Sequence, residues 1–593
     1  MRRTIWLILA IAINAISPTA SEAQTNSCIS STDGFWDEAR IWSLHKPPSI
    51  KQSAILITNA ASEQITIDNT TANDFKNTLI ISNLVIAPPS GGTDTLYLDN
   101  TGTIALHILN SLIIGSTETP PGGGGSELIS VNSKLIVDGL LGGLLQDNGT
   151  MVIMGGSVIT TNCTLQIEPS FAAGLLIISN GVVRARDVSI DVGEGGSGTI
   201  EVIGGVMTLS SSLSLGGHNG LQATLFVANG GLLVVTNGPT YIGNGSECSG
   251  SITVTNATLL AHDLWVGDGH DCSGDLSIEA GTVTLGGSLN FGGGSGGVVS
   301  LSGGVLIVTN DTTTIGGEEG NGEITIEDGL FWAREILVGS EDQSDGVLTV
   351  NGGTTQLSSY LQVGGLGNLS DGEVFVNSGQ LVVTNGEIIV GSEDAASITV
   401  SLGLLAANYI DLGVGRLAAG TLSVKGGSVT AATGITLGDC ASNTFGYVSV
   451  DGGQLTVTNA AHTGFIDVQN GQLVLSSGLL QVDKLVMTNT CSSFVHNGGT
   501  LIVGSVALDP NTFRIVSVIP QGNNMLVTWL MAPGQTNALQ VSSGGIHGSY
   551  ETNGFVDIFI VTNNTIVGSL TNYLDIGAAT NKPSRYYRAR VSP

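Results

Sequence analysis

The chain has 593 residues, 86 of them glycine, and its 48 acidic against 18 basic side chains give a formal charge of −30. Glycine without a triplet period and only 14 prolines exclude collagen, and 41% hydrophobic residues interleaved with Ser, Thr and Asn exclude wholesale disorder. A surface this acidic repels polyanions, so acidic glycans are poor partners and no nucleic-acid partner is expected.

Residues 1–23 have the order of a secretory signal peptide: Arg2 and Arg3, an apolar run from Ile5 to Ile16, then Ser21 and Ala23 at the small-residue cleavage positions. That run is too short to span a bilayer, which takes about 20 apolar residues, and no later stretch reaches that length. The mature chain is therefore expected to have no transmembrane segment and, after loss of Arg2, Arg3 and Glu22, a formal charge of −31.

Residues 24–75 are predicted to form an N-terminal cap with the first strands. GFWDEARIWSLHKPP gathers Trp36, Trp42, Pro47 and Pro48 ahead of the repeats, where a cap would shield an open end. Exposed, the same two tryptophans would instead be a sugar-stacking pair.

Residues 76–510 carry an internal repeat. GGLLVVTN, GGVLIVTN, SGQLVVTN and GGQLTVTN end at Asn237, Asn310, Asn385 and Asn459, at nearly even intervals of about 74 residues. Each interval divides into three weaker copies that open on a small residue, as at Gly156, Gly181, Gly205, Gly231 and Ala257, so the unit is about 25 residues. Within a unit, apolar residues alternate at period two in short Val-, Ile-, Thr- and Leu-rich runs between Gly and Asn, which specifies strands and tight corners. A unit that small cannot bury its own apolar face, so successive units must stack and pair in parallel. The predicted fold is all-β: a long right-handed parallel β-helix of about 25 residues per coil and about nineteen coils between residues 50 and 510. An array of β-sandwich modules, one to each long interval, is the second reading, and it gives the shorter period no cause. The VTN asparagines are expected either to stack as an amide ladder or to serve as left-handed turn residues.

Six cysteines, none in a C-x-x-C pair, argue against a zinc or redox motif. Cys248 in GNGSECSG and Cys272 in GDGHDCSG lie one unit apart. Equivalent positions on adjacent coils lie ~4.8 Å apart, within the ~4.4–6.8 Å Cα range of a disulfide, so Cys248–Cys272 is the predicted staple. Cys28, Cys163, Cys440 and Cys491 cannot be paired by this arithmetic.

Residues 511–593 have few Gly pairs and gather Trp529, Tyr550, Phe555, Phe559, Tyr573, Tyr586 and Tyr587. FRIVSVI, NMLVTWL, NALQVSS, GFVDIFIV and RYYRARV read as five antiparallel strands of a small β-sandwich. Arg585, Arg588 and Arg590 are its basic cluster, read as gatekeepers on an edge strand or as a surface-docking contact.

For chemistry, Glu323 and Glu327 in EITIEDGLFWARE share a strand face near Trp332 and are the best carboxylate pair for a glycosidase. His262, His270 and Asp271 read as loop residues. Acidic loops recur at Glu247, Asp268, Glu318 with Glu319, Glu341 with Asp342, and Glu393 with Asp394. They read as solubilising charge or as a Ca²⁺ cradle, although the calcium-binding nonapeptide is absent.

The FW…IW…PP opening, the GGxLxVTN and IGxG repeats and the TNYLDIGAATNKPSRYYRAR ending resemble large secreted repeat proteins of Verrucomicrobia and Planctomycetes. The resemblance implies passenger-like β-strand repeats similar to those of autotransporters, with a C-terminal fibronectin III-like module. The chain departs from autotransporters in lacking a membrane-barrel pattern, and it lacks the Pro-Glu-Pro sorting signal. The expected function is that of an exported, elongated structural or adhesive protein, secreted or on the surface of a Gram-negative-type bacterium. It would bind a surface glycan or envelope component through an extended face, with no catalytic residues; a neutral-glycan hydrolase or lyase is the alternative.

Overall fold

The inward-facing residues set the architecture. In Ser249–Thr255 every second side chain is buried, and Ile252 lies in register with Leu276, which lies in register with Val299. The computed structural model describes residues 24–592 except 90, 117–123, 140–141, 170–171, 191–195, 218–221, 293–295, 318–319, 366–369, 416–417, 443, 509–513, 532–535, 544–553, 565–568 and 581–584. The signal-peptide segment and Glu318, Glu319, Phe513 and Tyr550 lie outside the described residues.

The chain is all-β, a β-solenoid of about 18 turns with about 25 residues per coil followed by C-terminal antiparallel sheets. It divides into two compact units, Met1–Ser212 with Gly231–Val234, and Leu213–Gly230 with Val235–Pro593. Parallel in-register pairing at the spacing of the short repeat overturns the array of sandwich modules.

In the first unit parallel pairing begins at Asn26–Ser27, which pairs with Ile55–Ile57. Inward residues stack as Ile57, Ile86, Ile114, Leu145, Ile167 and Ile190, each fully buried. Burying each such side chain contributes roughly 1.5–3 kcal/mol. The early coils are longer than the repeat unit: Glu63 pairs with Asp94 across a step that holds the inserted helix Asn69–Asp74. Asp68 caps that helix by accepting from the Thr71 N–H at 2.7 Å. By Ala173, which pairs with Ser197, the step has shortened to that of the later coils. Trp36 and Trp42 are fully buried, edge to face at 5.3 Å, with Trp36 Nε1 donating to Thr78 O and Trp42 Nε1 to Trp36 O. They plug the core, and burial removes them as a sugar-stacking pair.

In the second unit the coils are built from short strands, three to a coil where they stay separate and run together elsewhere, as in Ser273–Leu285 and Gly296–Ile315. Ser249–Thr255, Thr258–Ala261 and Leu264–Val266 pair with the next coil as Ser249 with Ser273, Thr258 with Thr282 and Leu264 with Leu289. The repeated glycine has a steric cause. A Cβ at Gly353 would lie 2.5 Å from Gly329 O, at Gly403 2.5 Å from Gly379 O, and at Gly453 2.6 Å from Gly427 O. Each small residue thus lets one corner settle on the carbonyl of the coil before it.

The VTN asparagines divide: Asn256, which ends SITVTN, is a left-handed turn residue, whereas Asn237, Asn310, Asn385 and Asn459, which end the long repeat, are not. Asn310 Nδ2 donates to Gly286 O and Asn459 Nδ2 to Ala432 O, backbone carbonyls one coil back. Other left-handed corners include Asn100, Asn132, Asn148, Asn180 and Asn229. Amide-to-amide contacts occur between Asn132 and Asn100 and between Asn377 and Asn351.

The C-terminal module has two antiparallel sheets, Ile515–Gln521, Asn524–Met531 and Ser569–Asp575 in one, Val556–Thr562, Thr536–Ser543 and Arg585–Ser592 in the other. Its core is Val527, Trp529, Met531 and Leu539, with Phe559, Tyr573 and Tyr587 packed on them. Ser569–Asp575 is a sixth strand beyond the five expected; its SLTNYLD sequence alternates too weakly to read as one.

Candidate functional site

On one face of the second unit, Leu361, Ile388, Ile410, Ile435 and Ile466 stack in register and point inward, all fully buried. The residue before each faces out, which aligns Tyr360, Glu387, Tyr409, Gly434 and Phe465 along the stacking direction. The missing side chain at Gly434 makes room for the Phe465 ring, whose Cε1 would be 2.8 Å from a Cβ there. Phe465 and Tyr409 have ring centroids 6.2 Å apart, and the Tyr409 hydroxyl is hydrogen-bonded to Thr436 Oγ1. Two neighbouring hollows open beside this row. One, of 410 Å³, is lined by Ser358–Tyr360, Asn385–Glu387, Asn408 and Tyr409. The other, of 530 Å³, lies among Thr384, Ala407, Asn408, Thr430 and Thr458. Exposed amides and hydroxyls beside half-buried aromatic rings suit a ligand with both polar and apolar faces.

Asp411 faces out two residues beyond Tyr409. Burial, then the charge of Glu387, pushes its carboxyl up to about 6. Glu387 is in register with Tyr409, so Glu387 and Asp411 are one strand across and two residues along, about 8 Å between backbones. A neighbouring pair of carboxyls, one of them raised, is the kind of group a glycosidase uses. Sequence reasoning missed this row; its members fall at unequal steps along the chain, and only the register exposes it.

Glu323 and Glu327 do not converge. Glu323 lies in the strand Asn321–Ile326 and Glu327 in the corner that follows it, so they do not share a strand face, and they engage Thr325 and Asn351 respectively. His262 pairs with Asp263, and His270 with Asp271, at exposed corners. A second aromatic pair, Tyr241 and Trp265, lies on adjacent coils with centroids 6.5 Å apart.

Several corner acids are engaged by the adjacent coil. Asp263 accepts from Ser288 N–H and Oγ, and Asp394 from Ser370 N–H and Oγ. Asp371, in register with Asp345, is pushed up by burial, then by the charges of Asp345 and Asp394. Among the described residues no three His, Cys, Asp or Glu side chains converge as a metal cluster, at the acidic loops or elsewhere.

Cys440 and Cys491 form a disulfide with Cα atoms 6.1 Å apart. Cys248 and Cys272 are both buried, with their sulfurs 2.6 Å apart. The three arginines of the last strand are held within the module: Arg590 pairs with Asp557 at 2.6 Å, Arg585 with Asp575 at 3.3 Å, and Arg588 donates to Gln540 and lies over the Phe555 ring. Among the described residues no helix is long and apolar enough to cross a membrane. No protein-family model, curated protein or solved structure matches this chain.

Proposed function

We propose that this is an exported structural or adhesive protein that binds a neutral glycan of a cell surface or matrix through the face bearing Tyr360, Glu387, Tyr409 and Phe465. The observation that carries the reading is the row of aromatic and amide side chains beside two shallow hollows, on a surface too acidic for a polyanion. A ladder of equivalent positions presents itself to a repeating polymer one coil at a time. Retention on immobilised neutral polysaccharides tests it: Tyr409→Ala and Tyr360→Ala should each weaken retention, and retention unchanged in the double variant overturns the site.

The raised Asp411 carboxyl beside Glu387 favours a second reading, a glycoside hydrolase acting on the same ligand. Reducing-sugar release from neutral polysaccharides that is lost in Asp411→Asn would select the enzyme. Binding without release selects the adhesin.

Export rests on residues 1–23 as a signal peptide and fits the Cys440–Cys491 disulfide, since such bonds persist in oxidising compartments. We extend it to a Cys248–Cys272 bond in the exported protein. Thiol labelling of unfolded, unreduced protein should then mark Cys28 and Cys163 alone. Label on Cys248 and Cys272 overturns the staple, and protein found only in the cytoplasmic fraction overturns export.

A further inference from the structure

We propose that Glu63, Asp94 and Ser126 form a binding site for a hard divalent cation, best matched by calcium, inside the core of the N-terminal coils. Glu63 pairs in register with Asp94, and Asp94 with Ser126, so three polar side chains occupy one inward column where the neighbouring columns are aliphatic. Their exposures are 3%, 0% and 0%.

Each carboxylate has one oxygen engaged. The Asn59 backbone N–H donates to Asp94 Oδ2 at 3.0 Å, and Asn59 Nδ2 donates to Glu63 Oε2 at 2.7 Å. The other oxygens, Glu63 Oε1 and Asp94 Oδ1, have neither partner nor solvent, and the same holds for Ser126 Oγ. Buried carboxylates left this way are strongly unfavourable unless a positive charge joins them. Among the described residues no cationic side chain acts on them: the charges felt are those of the pair itself and of Asp33. The Cys28 thiol lies against Glu63 and keeps its proton, pushed up to about 12 by burial and then by this contact, so it is not an anionic ligand.

The spacing suits a cation. Coils stack about 4.8 Å apart, so an ion at the level of Asp94 has Glu63 on one adjoining coil and Ser126 on the other, and carboxylate and neutral oxygens of this kind are the ligands calcium takes. All three unpartnered atoms are oxygens, which favours calcium over zinc. This site is separate from the acidic loops, and it uses two carboxylates and a hydroxyl rather than a three-acid cluster. It is independent of the glycan reading.

The test is calorimetric titration and thermal melting of the full mature chain at pH 7.5, stripped with EDTA and then given Ca²⁺. Wild type should bind and melt higher with millimolar Ca²⁺. Glu63→Gln and Asp94→Asn, which remove a buried charge and keep the shape, should lose that site. Ser126→Ala, which leaves both carboxylates, should weaken binding about tenfold. A wild-type melt indifferent to Ca²⁺, or a full response retained in Asp94→Asn, overturns the proposal. A melt that rises on acidification but ignores Ca²⁺ assigns a shared proton in place of the ion and overturns it equally.

Discussion

In the solenoid a buried residue has its like on either side, as Ile398 has Val374 and Leu422 on the adjoining coils. In the C-terminal module the buried Trp529 instead meets Phe559 of the opposite sheet edge to face, with centroids 5.8 Å apart, and Phe559 meets Tyr573 at 5.1 Å. The solenoid is therefore a sum of similar interfaces between neighbours, while the module concentrates its stability in one aromatic cluster. The first arrangement tolerates loss at one coil. The second does not tolerate loss at its centre.

The sharpest way to break this comparison is Trp529→Ala. Truncating the central aromatic should cost about 3–5 kcal/mol, enough to unfold a module with so small a core. Differential scanning calorimetry should lose one transition while the solenoid transition stays in place. Disappearance of both would show that the two regions melt as one.

A smaller effect is expected at Gly403. A Cβ there would sit 2.5 Å from Gly379 O and 2.6 Å from Val376 Cγ1, so Gly403→Ala must push two coils apart at one corner. The cost should be about 1–3 kcal/mol, read from the midpoint of urea denaturation. A change within error would mean that close approach at this corner is incidental.

The smallest effect is electrostatic. Asp411 has its pKa raised to about 6, so the folded state holds its proton more tightly than the unfolded chain does. Its contribution is fully present below about pH 4, the unfolded value, and is lost as pH rises through about 6. Glu387, Asp467 and the Tyr409 hydroxyl are the titratable groups around it. Asp411→Asn should leave stability at pH 4 unchanged and raise it at pH 8 by about 1 kcal/mol, discounted for partial exposure. Equal denaturation midpoints at pH 8 for variant and wild type would defeat this account.

The two regions were also unequally legible. Stacking imposes one constraint on every coil, a small residue at the close corner and alternating apolar strands, so Gly281, Gly304, Gly329 and Gly353 repeat it openly. The early coils were harder, because the helix Asn69–Asp74 lengthens the step from Glu63 to Asp94 and blurs the period. In the module the strand runs were visible, but SLTNYLD was not, since one side chain in two is only half-hidden there. Of the candidate site almost nothing was legible. Tyr360, Glu387, Tyr409 and Phe465 are unlike residues at unequal intervals, and no local pattern marks them as neighbours.

What the amino-acid order by itself determined was the coil: its length, its strands and its parallel stacking, because a periodic chain with no core of its own can be satisfied only by copies of itself. Tertiary structure alone decided which unlike residues meet across coils. The Cys440–Cys491 bond, the Glu63, Asp94 and Ser126 column and the aromatic row all depend on register. Register accumulates the length of every intervening loop, so one insertion displaces every later alignment without altering the repeat that defines the fold.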